Sequence, residues 1–155
     1  MNELSPLAKA LYSIFDADPK FHNRVGDRFY EEAVPQGASL PGAVFAHQAG
    51  NDINGAFGAR LATRGLYQVK GICEGDSFAP IEGISDDIDR LLHGLNQYKY
   101  ETTNADDEPV SITITGVIRT GTLKYSETDA DGVRYNHQGG IYRIMTRDSI
   151  NDANP

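Results

Sequence analysis

The sequence predicts an α+β fold: a four-stranded, mainly antiparallel sheet with two main helices packed on one face. Three observations predict it. Apolar residues recur at helical spacing in two stretches, residues 7–15 and 81–95. Four other stretches, residues 43–48, 61–73, 110–125 and 138–147, read as strands. The order is helix, two strands, helix, two strands, and consecutive strands with hairpin-like connections favour antiparallel pairing.

The first helix starts at Ser5-Pro6, an oxygen acceptor in the cap position followed by a proline that costs nothing in the first turn. Leu7, Leu11, Ile14 and Phe15 then fall at i, i+4, i+7 and i+8 and make one apolar face. Asp16, Ala17 and Asp18 end it. Asp18-Pro19 repeats the start signal, and Val25-Gly26 closes a short helix over residues 19–25 with glycine at the left-handed C′ position. Arg28-Phe29-Tyr30 reads as extended. Val34-Pro35-Gln36-Gly37 and Leu40-Pro41-Gly42 are turns, because each residue before a proline is pushed out of the helical region.

The first long strand covers residues 43–48, with Val44 and Ala46 on one side and Phe45 and His47 on the other. Residues 50–60 contain Gly50, Gly55, Gly58, Asn51 and Asn54, which predicts a long, mobile connection rather than a regular strand. The second strand covers residues 61–73. Tyr67, Val69, Gly71 and Cys73 share one face, and Leu66, Gln68, Lys70 and Ile72 the other. The second main helix is expected over residues 78–96, carried by Ile81, Ile84, Ile88, Leu91, Leu92 and Leu95. Gly83 inside it costs about 1 kcal/mol relative to alanine. Residues 104–109 form an acidic connection. The β-branched strand over 110–125 contains Gly116 and Gly121, which point to a bulge or bend. Residues 127–133 are a turn, 138–147 the last strand, and 149–155 a polar tail. The expected organisation is one domain, 1–148, followed by that tail.

The composition narrows the function. A chain of 155 residues buries enough surface, about 68–70% of what its unfolded form exposes, to fold without a disulfide or metal. Its single cysteine, Cys73, excludes an intramolecular disulfide and reads as a small buried hydrophobe. No run of 18 apolar residues suggests a membrane-spanning helix, and the acidic N-terminus lacks the layout of a signal peptide. The net charge of −8 argues against nucleic-acid binding, which needs Lys and Arg to displace counterions. The acidity serves solubility, or else a surface past which DNA slides without sticking.

Catalytic and cofactor chemistry is not nominated by any motif. Residues 127–132 half-resemble a calcium loop, with oxygens at positions 1, 3 and 5 and Gly132 at 6, but Gln138 stands where the bidentate glutamate belongs. A solvated hairpin tip is the simpler reading. His22, His47, His93 and His137 are not spaced for a helical metal pair, and Asp89 with His93 reads as a surface pair. There is no nucleophile elbow, and the glycines of 50–58 lack the Gly-Lys-Ser/Thr of a phosphate loop. No catalytic, cofactor-binding or metal residue is therefore assigned, and no cofactor is expected. What remains is protein–protein assembly, through the connection at residues 50–60 or through open sheet edges.

One segment carries a resemblance. Ala17-Asp18-Pro19, Val25-Gly26-Asp27-Arg28-Phe29-Tyr30, Val34-Pro35-Gln36-Gly37-Ala38, Leu40-Pro41 and Val44-Phe45 resemble the tail-completion, or tail-terminator, family of tailed bacteriophages. The element order follows the family over nearly the whole chain, while the specific motif residues lie only in 17–45. Val34 replaces a common alanine, and Gly42-Ala43 follow the Leu-Pro where bulkier residues are usual. The resemblance implies a structural neck protein of the virion, made in the host cytoplasm. It implies a ring, usually a hexamer, that ends the tail tube and joins it to a head-completion or connector protein. DNA passes through the lumen without specific binding, and no membrane is involved. It also assigns residues 50–60 as an arm to adjacent subunits or the tube, with Asn51, Asp52, Ile53, Asn54, Phe57 and Arg60 as the contact residues. Two other readings stay open: another neck component, such as a head-completion or adaptor subunit, and a small-ligand-binding or enzymatic domain of similar topology.

Overall fold

The computed structural model describes residues 4–55, 58 and 60–148. Along the chain come α1 (Leu4–Asp16), α2 (Pro19–Val25), β1 (Phe29–Glu31), β2 (Gly42–Asn54), β3 (Arg60–Glu74), α3 (Ala79–Leu92), β4 (Tyr98–Thr103), β5 (Pro109–Thr128) and β6 (Arg134–Asp148). The polar tail expected at 149–155 lies outside the described residues.

The strands form one six-stranded sheet in the order β1-β2-β3-β6-β5-β4. β1 runs parallel to β2, and the other neighbouring pairs are antiparallel. The sheet is mixed, strongly curled into a half-barrel, and accompanied by three helices. This overturns the expectation of a four-stranded, mainly antiparallel sheet with two main helices. The added strands are the two edges. β1 has three residues and is fixed by its surroundings. The Arg28 carbonyl accepts from Ala43 N at 2.8 Å, and Arg28 Nε donates to the Pro41 carbonyl at 2.7 Å. β4 alternates half-buried Tyr98, Tyr100 and Thr102 with exposed Lys99, Glu101 and Thr103, which is the burial period of a strand.

A second correction concerns residues 50–60. The chain does not leave the sheet after Gln48. β2 stays paired with β3 as far as Asn54 opposite Arg60, so the expected mobile connection is mostly a β-hairpin arm. Gly50, and Gly65 opposite it on β3, make room for rings instead of breaking the strand. A Cβ on Gly65 would lie 2.8 Å from the Tyr67 ring, and one on Gly50 3.2 Å from His47 Nε2. Gly50 and Gly65 face each other across the ladder, and the His47 and Tyr67 rings meet edge to face at 5.1 Å beside them.

The apolar sides of α1, α2 and α3 and the inward strand positions meet in one core. Leu7, Leu11 and Phe15 are buried as the helical spacing requires, and so are Ile81, Ile84, Ile88 and Leu92. Phe29 of β1 is the centre of an aromatic cluster, with Tyr12, Phe15, Phe21 and Phe45 at 4.8–5.4 Å. Gly71 lets α3 approach β3: a Cβ there would sit 3.1 Å from Ile81 Cβ and Ile84 Cγ2. The helix stops at Leu92, short of Asn96. His93 turns extended, and Gly94, at φ +83°, donates its N–H to the Val117 carbonyl at 3.0 Å. The bulges expected from Gly116 and Gly121 are present, between Ile114 and Gly116 and between Arg119 and Gly121. None of the helices is long and apolar enough to cross a membrane.

Candidate functional site: an interaction surface on the sheet

Residues 17–45, the segment with the family resemblance, build the corner on which the rest is mounted. Asp18 caps α2, its Oδ2 accepting from Phe21 N at 3.0 Å, and it also binds Arg90 of α3 at 2.7 Å. Arg90 holds the Asp18 carboxyl below its ordinary pKa. Asp87, almost fully buried, receives Arg90 at 3.2 Å and Arg24 of α2 at 2.8 Å. The Arg24 guanidinium lies where a Cβ on Gly83 would be, which explains the glycine inside α3. These residues lock α2 to α3 and leave the sheet to present its other surface.

The sheet has a side without helices. Strand alternation places Ala46, Ala49, Asn51 and Ile53 of β2 there, with Arg64, Leu66, Gln68, Lys70 and Ile72 of β3, because they stand opposite or two residues away from one another in the register. His137, Ile141, Arg143 and Met145 of β6 follow, then Ile118 and Tyr125 of β5. Ile118 is 49% and Tyr125 39% exposed, unusually high for large apolar side chains on the middle strands of a sheet.

The arm residues divide between the two faces. Asn51 and Ile53 share the helix-free side. Asp52 points to the other, where it accepts from Thr63 Oγ1 at 3.3 Å and lies 3.9 Å from Arg60 Nη1. The structure therefore brings Asp52 and Arg60 together and puts Asn51 and Ile53 elsewhere. Asn54 ends β2 and is exposed; Phe57 lies outside the described residues.

Sequence reading missed Arg64 and Arg143. They line one groove of about 400 Å³ with Ala49, Gly50, Asn51, Leu66 and Thr120. Arg64 Nε is buried there without a hydrogen-bond partner. The signal was present in the alternation of residues 61–73, which puts Arg64 in register with Leu66.

A second groove, of about 430 Å³, lies between the 32–40 loop and the start of the sheet, lined in part by Leu40, Val44, Ile72, Lys70, Glu127 and His137. Its polar groups bind one another. Lys70 Nζ donates to Tyr125 Oη at 2.6 Å, the Tyr125 and His137 rings stack 4.5 Å apart, and His137 Nε2 sits 2.8 Å from Glu127 Oε1. Burial, and then the Lys70 charge, push the His137 pKa down, while the Glu127 carboxylate beside Nε2 opposes the shift. Cys73 is buried on the opposite face, where burial pushes its thiol pKa up.

The loop that half-resembles a calcium site is a braced turn. Asp129 Oδ1 accepts from Asp131 N and Val133 N, both at 2.9 Å, and Gly132 takes φ +83°. The acidic end raises the pKa of Tyr135, first through loss of hydration and then through Asp129, to which the phenol donates at 3.3 Å. Among the described residues, no three His, Cys, Asp or Glu side chains converge to hold a metal ion.

No protein-family model matches the chain, nor does any curated protein sequence. Among solved structures, the chain is similar to one in the virion of a native gene transfer agent particle. The TM-score is 0.56 and the identity 17%, over 87% of this chain and 91% of that one. At that identity the likeness shows a shared fold.

Proposed function

We propose that this chain is a structural subunit of a phage-like virion, and within it a ring-forming neck protein that ends the tail tube. The observation that carries the reading is the fold shared with a virion chain over nearly the full length of both. The family resemblance in residues 17–45 supports the finer assignment to tail completion. Ile118 and Tyr125, exposed on the helix-free side of the sheet, are contact positions in this reading.

The mechanism is surface complementarity. The register places the β2–β3 turn at one end of the sheet and the β5–β6 turn at the other, because β6 begins beside Glu74 and ends beside Thr63. Subunits joined head to tail around a closed ring present those ends on its two faces. One face matches the last ring of the tube; the other differs from it and receives the head-completion or connector protein, so growth stops. A ring of six follows the family. Acidic side chains around the lumen repel DNA phosphates and keep passage fast. Asn51, Asp52, Ile53, Asn54, Phe57 and Arg60 form the contact arm in this scheme. No catalytic step and no cofactor enters it.

The test is electron microscopy of lysates from a phage or phage-like particle producer lacking this gene. Full heads beside separate tails of irregular, excessive length are the expected result. Leaking heads beside tails of normal length assign the chain to head completion. Normal particles reject both neck roles and return attention to the groove at His137.

A further inference from the structure

The groove of about 400 Å³ on the helix-free side of the sheet is lined by two arginines, Arg64 and Arg143. Elsewhere the arginines are engaged. Arg24 and Arg90 bind Asp87, Arg119 lies 3.3 Å from Asp89, Arg28 binds a carbonyl, and Arg134 binds Asn136 and Ser126. Arg64 and Arg143 make no ion pair among the described residues, in a chain with a net charge of −8. They stand diagonally across the β3–β6 ladder, Arg64 opposite Met145 and Arg143 opposite Leu66. Ile118, the neighbour of Arg143 on β5, is half exposed. Two guanidinium groups that line one groove without a carboxylate partner among the described residues are a place where an incoming carboxylate gains charge-assisted hydrogen bonds.

The chain carries a matching acid. In the turn between β4 and β5, Asn104 Oδ1 accepts from Asp106 N at 2.9 Å and from Glu108 N at 3.0 Å, and Asn104 Nδ2 donates to Glu108 Oε2 at 3.0 Å. The turn is thereby held in shape, while the carboxylates of Asp106 and Asp107 make no hydrogen bond or ion pair among the described residues. The β5–β6 turn is less suited, because Asp129 spends its oxygens on its own backbone and on Tyr135. A preformed turn loses little freedom on docking.

We propose that the Asp106-Asp107 turn of one copy docks into the Arg64–Arg143 groove of the next. The groove and the turn are different patches of the same molecule, so the contact can repeat head to tail, and it forms a ring where the rotation between copies closes. This rests on the ring reading above and names the surfaces that form it.

The experiment measures the mass of the purified full chain in solution across a concentration series. The four proteins are the wild type, Arg64→Glu/Arg143→Glu, Asp106→Arg/Asp107→Arg, and the combination of all four changes. Circular dichroism checks that each is folded. The expected result is self-association of the wild type, weakened on the order of a hundredfold in each double variant, as for loss of a docked charge pair, and recovered in the combination. Association that persists in both double variants overturns the proposal and leaves the ring standing. A wild type that stays monomeric at its highest soluble concentration overturns it too, and the lysate phenotype then decides the neck role by itself. If the groove variant instead loses binding to a duplex DNA probe that the wild type retains, the occupant is a phosphate backbone and the proposal fails.

Discussion

A single carboxylate shows how the segment that carries the family resemblance acts. Asp18 both caps α2 and binds Arg90, so substitution by asparagine separates the two roles: asparagine still caps, but it carries no charge. Arg90 holds the Asp18 pKa below its ordinary 3.8 in the folded chain. A depressed folded pKa means that the unfolded state binds the proton first as pH falls. The stability from this pair is therefore full above pH 3.8 and lost as the pH drops through the folded pKa. Asp18→Asn is expected to lower stability by about 0.5–1 kcal/mol at neutral pH, since Arg90 is partly exposed and the pair is screened. The gap to the wild type should close below pH 3.8. Denaturant titrations at pH 7 and at acid pH read this directly; a gap that stays constant at both would mean that the Asp18 charge is not what sets it. Asp87, buried between two arginines, was only a residue off the apolar face in the sequence. Its partners come from α2 and α3, and no local pattern announces them.

At the scale of elements, local signals were read well and long-range ones poorly. The cap-plus-proline pairs and apolar spacing gave α1, α2 and α3 close to their observed bounds, because those signals lie within one or two turns of chain. Arg28-Phe29-Tyr30 read as extended but was not counted as a strand of the sheet, and β4 was missed, because neither is a strand in isolation. β1 exists through its ladder with β2, and β4 through Tyr98 and Tyr100 packing inward against the core. The arm was misread for a different reason. Gly50 counts as a breaker by composition, yet it and Gly65, which lies inside the expected second strand, each stand where an aromatic ring closes over the backbone. The division of Asn51, Asp52 and Ile53 between two faces was not legible in the sequence, since the facing depends on the register with β3. The glycine argument has a testable sign. Intrinsic strand preference favours valine over glycine by up to about 1 kcal/mol. At Gly65, however, a side chain displaces the Tyr67 ring, which is 4% exposed and part of the core. Gly65→Val is expected to destabilise by about 1–3 kcal/mol in thermal or denaturant unfolding. A neutral or stabilised variant would show that the ring moves aside freely and that the strand continues for another reason.

At the scale of the whole molecule, the core and the arm are separate. The core cluster draws residues from all three helices and from β1, β2, β3, β5 and β6, with Tyr98 and Tyr100 of β4 packed against it. A core shared in this way leaves no part able to unfold while the rest stays native, so unfolding is expected as one cooperative transition. The arm is outside that core: no described residue from 53 to 62 belongs to it. β6 pairs with β3 only from Thr63 onward, so the last stretch of the β2–β3 hairpin stands free of the rest of the sheet. The register supplies a clean way to remove it. Asp52 and Thr63 are partners across the ladder, and a two-residue Asn-Gly turn joins such a pair without disturbing the strands. Replacing residues 53–62 by Asn-Gly is expected to leave a single unfolding transition, with stability changed by no more than about 0.5 kcal/mol. The same variant, supplied in place of the wild-type gene, is expected to fail in joining heads to tails. Joining that survives untouched would remove the arm from the contact surface and leave the helix-free sheet face to carry assembly alone. A lowered or split transition would instead mean that the arm belongs to the fold, and the loss of joining would then say nothing about contacts.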